Sequence, residues 1–178
     1  MEPGTPLHLY LLIGQSNMAG RGEIGAEDTQ IHPRVFALDR ENRWVQAADP
    51  IHLYKPIAAV GSGLTFGKTM ADQAPSVRVG LVPCAVGGSP ISTWQPSGYW
   101  KQTDSYPYDD AIARARVAQE SGLLKGILWH QGESESNERD ANAYLDRLEA
   151  LVDGPTCQQV MLSCACQHGK ADLRQVKE

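Results

Sequence analysis

The stretch "LLIGQSNMAGRG", residues Leu11 to Gly22, decides how this chain reads. An apolar run that begins at Leu7 stops at Gly14, and Ser16 follows at once between Gln15 and Asn17. A short continuous apolar run closed by a glycine turn fits a strand buried on both faces, the kind a parallel sheet contains. The turn itself has two readings. Ser16 either caps the segment that follows, or it stands at the strand tip as a nucleophile, where a tight turn supplies exposure and free backbone N–H groups.

The pattern of Leu7–Ile13 recurs at Val77–Val82, Leu123–Trp129 and, more weakly, Gln158–Leu162. Helical spacing lies between these strands. Glu138–Val152 carries Ala141, Tyr144, Leu145, Leu148, Leu151 and Val152 on one face, with Asn137 as N-cap and Gly154-Pro155 as a stop. A second helix is expected from about Asp109 to Ser121, burying Ile112, Ala115 and Ala118, and a third from Leu64 to Ala74, ended by Pro75. Arg34–Ala48 reads as two short strands around the turn Asp39–Asn42, an ornament on the main unit. Strands alternating with helices predict an α/β fold with a parallel sheet covered on both faces. No repeat, low-complexity tract or linker divides the sequence, so residues 1–178 read as a single domain.

Charge and composition exclude several function classes. Sixteen Lys and Arg stand against 21 Asp and Glu, a net charge of −5, and no basic stripe offers a surface for nucleic acid or an anionic membrane. The apolar run at the N-terminus has no basic segment before it and no stop-transfer pattern after it, so it reads as a strand rather than a signal peptide or membrane span. The chain as given is therefore expected to be cytoplasmic, while a start codon placed too late would hide a secretion leader. Cys157, Cys164 and Cys166 crowd the C-terminal end and Cys84 stands apart. Cys164-x-Cys166 lacks a second ligand pair and has the wrong spacing for common zinc motifs, so reduced thiols are expected, with no metal and no organic cofactor. Gly61 and Gly63 leave five and three residues before Gly67-Lys68-Thr69, where a phosphate-binding loop needs four.

In an open parallel sheet, ligands gather beyond the carboxyl ends of the strands. Three polar segments follow strands directly: Gly14–Asn17, Pro83–Trp94 ("PCAVGGSPISTW") and His130–Ser134. If their strands are neighbours, the three meet on one edge. Gly87-Gly88 lets a backbone N–H approach a bound oxygen closely, or is only a loop. Gln131 can donate to an oxyanion without titrating. His130 is a candidate base, and equally a structural residue at a strand end.

Taken together, "GQSNMAGRG" (Gly14–Gly22), "GLVPCAVGGSPISTW" (Gly80–Trp94) and "ILWHQGES" (Ile127–Ser134) resemble the sialate O-acetylesterase-like carbohydrate esterases of the SGNH hydrolase superfamily. The similarity runs from about Leu7 to about Val152, with 153–178 a weakly matching tail. The resemblance implies a three-layer α/β/α, flavodoxin-like fold and hydrolysis of O-acetyl esters on sugars such as sialic acid or acetylated xylan. It makes Ser16 the nucleophile. The oxyanion hole would comprise its own N–H, a glycine N–H from the Gly87-Gly88 pair, with Gly88 favoured, and the Gln131 side chain. Asn17 and Glu133 would lie at the substrate, Glu133 organising its loop. Apart from the resemblance, Trp94, Trp100, Tyr99 and Tyr106 lie near the second segment and read either as a stacking wall for a sugar ring or as buried aromatics, which would look the same in sequence.

The resemblance also demotes His130, because the family's catalytic histidine comes from a later Asp-x-x-His. None follows Val152 here; the late candidates are His168 and Asp172, in reverse order. The expectation is therefore an esterase chain that stops before its acid–base block and lacks the last strand and helix, with His168 the stand-in base. Loss of the histidine alone costs a serine hydrolase about 10⁶ in turnover. The alternative reading is an inactive fragment or sugar-binding module that has kept the esterase fold.

Overall fold

The structure, a computed structural model, describes residues 5–52 and 57–154. The expected strand Gln158–Leu162, three of the cysteines and His168 lie outside the described residues.

The first apolar run forms β1 (Leu7–Gly14), and it is the centre of the sheet. On one side it pairs in parallel with β4 (Arg78–Pro83), on the other with β5 (Leu123–His130). Beyond β4 lies β2 (Val35–Leu38), also parallel, and then β3 (Trp44–Gln46), antiparallel to β2. The spatial order is β3-β2-β4-β1-β5. The strand pair expected as an ornament is thus part of the main sheet. Val35, Ala37 and Leu38 are buried, and of this pair only β3 lies at an edge of the sheet.

Alternation along β1 builds two cores at once. Leu7, Leu9, Leu11 and Ile13 pack with α3 (Pro107–Gln119), through Tyr108, Ala111, Ile112, Ala115 and Ala118, and with Leu151 of α5 (Tyr144–Asp153). Tyr10 and Leu12 face Leu64 and Ala71 of α2 (Ser62–Gln73) on the opposite side. The result is the expected three-layer α/β/α arrangement. Leu9, Leu11 and Leu12 are essentially without exposed surface, and each such side chain contributes about 1.5–3 kcal/mol by leaving water. A bulge keeps β5 in phase: Leu9 pairs with Leu124 but Tyr10 with Gly126, leaving Lys125 as an extra residue. Leu124, Ile127 and Trp129 thereby all join the α3 face.

The long helix expected over 138–152 is two helices, α4 (Glu138–Asn142) and α5, broken at Ala143. There the Ala143 N–H turns back to the Asp140 carbonyl, three residues away, tightening the turn. Asn137 caps α4 as expected, its side chain accepting the Asp140 N–H at 3.0 Å. The break rotates α5, so that Leu145 and Val152 are 62% and 58% exposed while Leu151 is buried. It also brings the Tyr144 hydroxyl to the end of β5, where it accepts the Trp129 indole N–H and donates to the Gln131 carbonyl, both at 2.9 Å.

At Gly14 the backbone has φ +127°, and a Cβ would sit 2.1 Å from the His130 carbonyl oxygen. Neither the conformation nor the space admits a side chain. Gly14→Ala is therefore expected to lower unfolding stability by at least about 3 kcal/mol, read as a shift in urea midpoint at unchanged slope; a loss within experimental error would contradict the geometry.

Candidate active site

The connection after β1 leads to the α2 face, where Met18 and Ala19 of α1 (Ser16–Ala19) are buried. The connection after β4 leads to the α3 face, where Val86 and Trp94 are buried. Neighbouring strands whose connections part to opposite faces leave a crevice at their carboxyl ends, the usual ligand position in such sheets. The third polar segment, after β5, borders the same place.

Backbone bonds lock the three segments together. The Val86 N–H donates to the Gly14 carbonyl at 2.9 Å, and the Gln15 N–H donates to the His130 carbonyl at 2.9 Å. Ser16 is half-buried at the start of α1. Gly88, at φ +69°, is also partly accessible. The N–H groups of Ser16 and Gly88 donate to no other group among the described residues. Unengaged backbone N–H groups in the segments that meet at a serine are the kind of donor a developing oxyanion requires.

A buried polar network underlies this arrangement. Gln15 is 3% exposed, and its Oε1 accepts from Gln131 Nε2 and Ser134 Oγ, each at 3.1 Å. Ser134 Oγ lies equally close to the Gly88 carbonyl. Gln131 Nε2 also reaches the Ser89 carbonyl at 3.3 Å and the Glu135 carboxylate. Three acceptors around one amide nitrogen fix its orientation, since a reversed amide would set oxygen against oxygen. Both hydrogens are thereby committed, and Gln131 Oε1 is left buried without a partner among the described residues. The resemblance implied Gln131 as an oxyanion donor; in this structure its N–H groups point into the protein.

The remaining expected residues fall into three groups. Asn17 and Glu133 are exposed and joined by a hydrogen bond from Asn17 Nδ2 to Glu133 Oε1. His130 is exposed at the tip of β5. Trp94 requires a correction. It is 2% exposed, its indole N–H donates to Ser89 Oγ at 2.9 Å, and its ring packs edge-on against Trp129 at 5.2 Å. It is a core residue and presents no face to a sugar. Tyr99 and Tyr106, each 46% exposed with ring centroids 5.3 Å apart, are the accessible aromatics of that segment. Half-buried Trp100 donates instead to the Gly87 carbonyl, at 3.2 Å.

Sequence reading missed two features. Glu135, 4% exposed, is the buried carboxylate of the network; its burial gives no signal in a polar run such as Glu133–Arg139. An Asp-x-x-His does occur early in the chain, as Asp49-Pro50-Ile51-His52. His52 has no exposed surface. Burial, with the nearby Arg114 and Arg21 cations, pushes its imidazole down to about 3, too low for a general base matched to neutral pH. Burial likewise pushes the Asp49 carboxyl up to about 6. Among the described residues no group of three or more His, Cys, Asp or Glu side chains could hold a metal ion, and no helix is long and apolar enough to cross a membrane.

Comparison with known proteins bears on the family and the fold. A family model described as carbohydrate esterase, sialic acid-specific acetylesterase, matches residues 6–157. An Arabidopsis thaliana protein named "Probable carbohydrate esterase" is 29% identical over 172 residues, which cover 85% of this chain. The chain spans 64% of that relative's length. The X-ray structure of an Arabidopsis thaliana protein superposes with a TM-score of 0.77 at 27% identity, over 89% of this chain and 71% of that one. The crystal structure of NanS gives 0.64 at 18% identity, over 93% and 66%. That of a carbohydrate acetylesterase from Xanthomonas citri gives 0.58 at 18%, over 88% and 39%. At that identity the last two report shared fold alone.

The segment's one thiol is not a rival nucleophile. Burial pushes Cys84 up to about 12, leaving a negligible thiolate fraction at neutral pH. Treated with iodoacetamide at pH 8, the folded chain should leave Cys84 less than about one-tenth modified by peptide mapping, and fully modified once unfolded. Ready labelling of the folded chain would show that the β4 end opens.

Proposed function

The chain belongs to the sialic acid-specific acetylesterase family of carbohydrate esterases, and on that premise we propose that it removes O-acetyl groups from carbohydrates with Ser16 as nucleophile. The observation that carries the reading is the half-buried Ser16 at the tip of the central strand, with the N–H groups of Ser16 and Gly88 unengaged. In this mechanism Ser16 Oγ attacks the acetyl carbonyl carbon and gives up its proton to a base. The carbonyl electron pair moves onto oxygen, where the two N–H groups meet the charge. Collapse expels the sugar oxygen, which takes the proton, and leaves acetyl-Ser16. Water then attacks the acetyl-enzyme by the same route and releases acetate.

The base in this reading is His168, with His130 at the tip of β5 as the competing imidazole; separate alanine variants distinguish them. The substrate is an acetylated sugar of the sialic acid or xylan type. Asn17 and Glu133, exposed and hydrogen-bonded to one another, serve its hydroxyl groups, and the Tyr99–Tyr106 pair offers an apolar surface to its ring.

Acetate release from p-nitrophenyl acetate by the 178-residue chain and by Ser16→Ala tests the reading. The variant should lose at least about 10³-fold in kcat, since removing the nucleophile of a serine hydrolase leaves only binding and oxyanion contributions. Equal rates would instead point to an inactive fragment or a sugar-binding module that has kept the esterase fold.

A further inference from the structure

Gly87 and Gly88 are the two corners of a tight turn over residues 86–89, closed by the Ser89 N–H on the Val86 carbonyl at 3.2 Å. Gly88 has φ +69° while Gly87 lies outside the positive-φ region, the combination of a type II turn. Type I and type II turns differ by rotation of the central peptide through about 180°. A trans peptide points its C=O and N–H in opposite directions, so that rotation would exchange the places of the Gly88 N–H and the Gly87 carbonyl. With glycine at both corners, no side chain opposes it.

The carbonyls on either side are met by serines. Ser89 Oγ donates to the Val86 carbonyl at 2.8 Å, and Ser134 Oγ stands 3.1 Å from the Gly88 carbonyl. The central carbonyl, that of Gly87, accepts the indole N–H of Trp100 at 3.2 Å. The same ring runs alongside the turn, since a Cβ placed on Gly88 would lie 3.6 Å from Trp100 Cζ2. Trp100 is itself fixed. Its backbone exchanges two hydrogen bonds with Ser105, at 2.8 and 3.3 Å, and its half-buried ring packs against the α3-side core.

We propose that Trp100 is a positioning residue for the oxyanion hole: by holding the Gly87 carbonyl, its indole N–H selects the turn state that leaves the Gly88 N–H as an oxyanion donor. The catalytic role rests on the esterase reading, whereas the selection of the turn state does not. Packing, or a platform for a substrate ring, would be served as well by a phenyl group; holding a carbonyl requires the N–H. One hydrogen bond of ordinary net strength shifts an equilibrium about 3- to 10-fold, and turnover falls with the fraction of molecules in the competent state.

Trp100→Phe in the whole chain removes the N–H and keeps a ring. Gly-Gly occurs once in the sequence, so glycine labelled with ¹⁵N and carbonyl ¹³C gives one directly bonded carbonyl–nitrogen pair, the Gly87-Gly88 peptide. In the parent this peptide should give a single signal with the carbonyl carbon at a hydrogen-bonded frequency. In Trp100→Phe the carbon should move to lower frequency and the Gly88 N–H signal should split or broaden, while the remaining dispersion persists. Turnover of p-nitrophenyl acetate should fall about 3- to 10-fold in kcat with KM unchanged, because formation and hydrolysis of the acetyl-enzyme use the same donor. If Trp100→Phe does not fold, the parent decides alone. Its Trp100 indole N–H should exchange with solvent at least about tenfold more slowly than free indole, and exchange at the free rate overturns the proposal. In folded Trp100→Phe, an unmoved Gly87 carbonyl signal or an unchanged kcat overturns it as well, including a loss expressed in KM alone. Acetate release that survives Ser16→Ala overturns the esterase reading instead, and the Gly87-Gly88 signal then still decides whether the indole holds the turn.

Discussion

The peptide group between Gly14 and Gln15 is hydrogen-bonded on both sides. Its carbonyl accepts the Val86 N–H and its N–H donates to the His130 carbonyl, so one rigid plane joins the carboxyl ends of β4, β1 and β5. That plane sets where Ser16 stands relative to the second and third segments. It can form only because residue 14 carries no side chain, since a Cβ would occupy the place of the His130 carbonyl. The buried carboxamides and Glu135 then extend the linkage by one layer. The site is thus built on the sheet's own hydrogen-bond ladder, continued past the point where the strands end.

Legibility in the sequence follows from what each signal depends on. β1 and β4 could be read because a strand buried on both faces needs a continuous apolar run, a property of the segment alone; β5, half-buried at the end of the sheet, carries a similar apolar run. The convergence of the segments around Ser16, Gly88 and Gln131 followed from their place after those strands. Residues whose role depends on distant partners could not be read this way. Val35–Leu38 is only four residues long, and its full membership of the sheet comes from pairing with β4. Trp94 is drawn inward by Ser89 and by the Trp129 ring, and nothing in "ISTW" distinguishes that outcome from an exposed indole. The break at Ala143 lies inside an unbroken helical pattern; the bonds that Tyr144 makes at the end of β5 mark its outcome.

Ionisable groups are handled differently in different parts of the fold. Where His52 and Asp49 are enclosed, burial drives both toward their uncharged forms. Where Glu135 is enclosed, a backbone N–H and a carboxamide meet its two oxygens directly. The polar side chains Asn17, His130 and Glu133, at the ends of β1 and β5, are left exposed. Enclosed groups hold the framework and exposed groups border the crevice, a division set by solvent access rather than by residue type.

The central position of β1 has a consequence for biosynthesis. This strand leaves the ribosome before its sheet neighbours, β5 being made more than a hundred residues further on. At about 5–20 residues per second, its apolar side chains and unpaired backbone wait roughly 5–25 s for β5 to be synthesised. Contacts this remote along the chain slow closure of the sheet, and an unpaired apolar strand is a surface on which nascent chains associate. Yield in cells should therefore depend on translation speed and on chaperones that shield the emerging strand, independently of how stable the finished fold is.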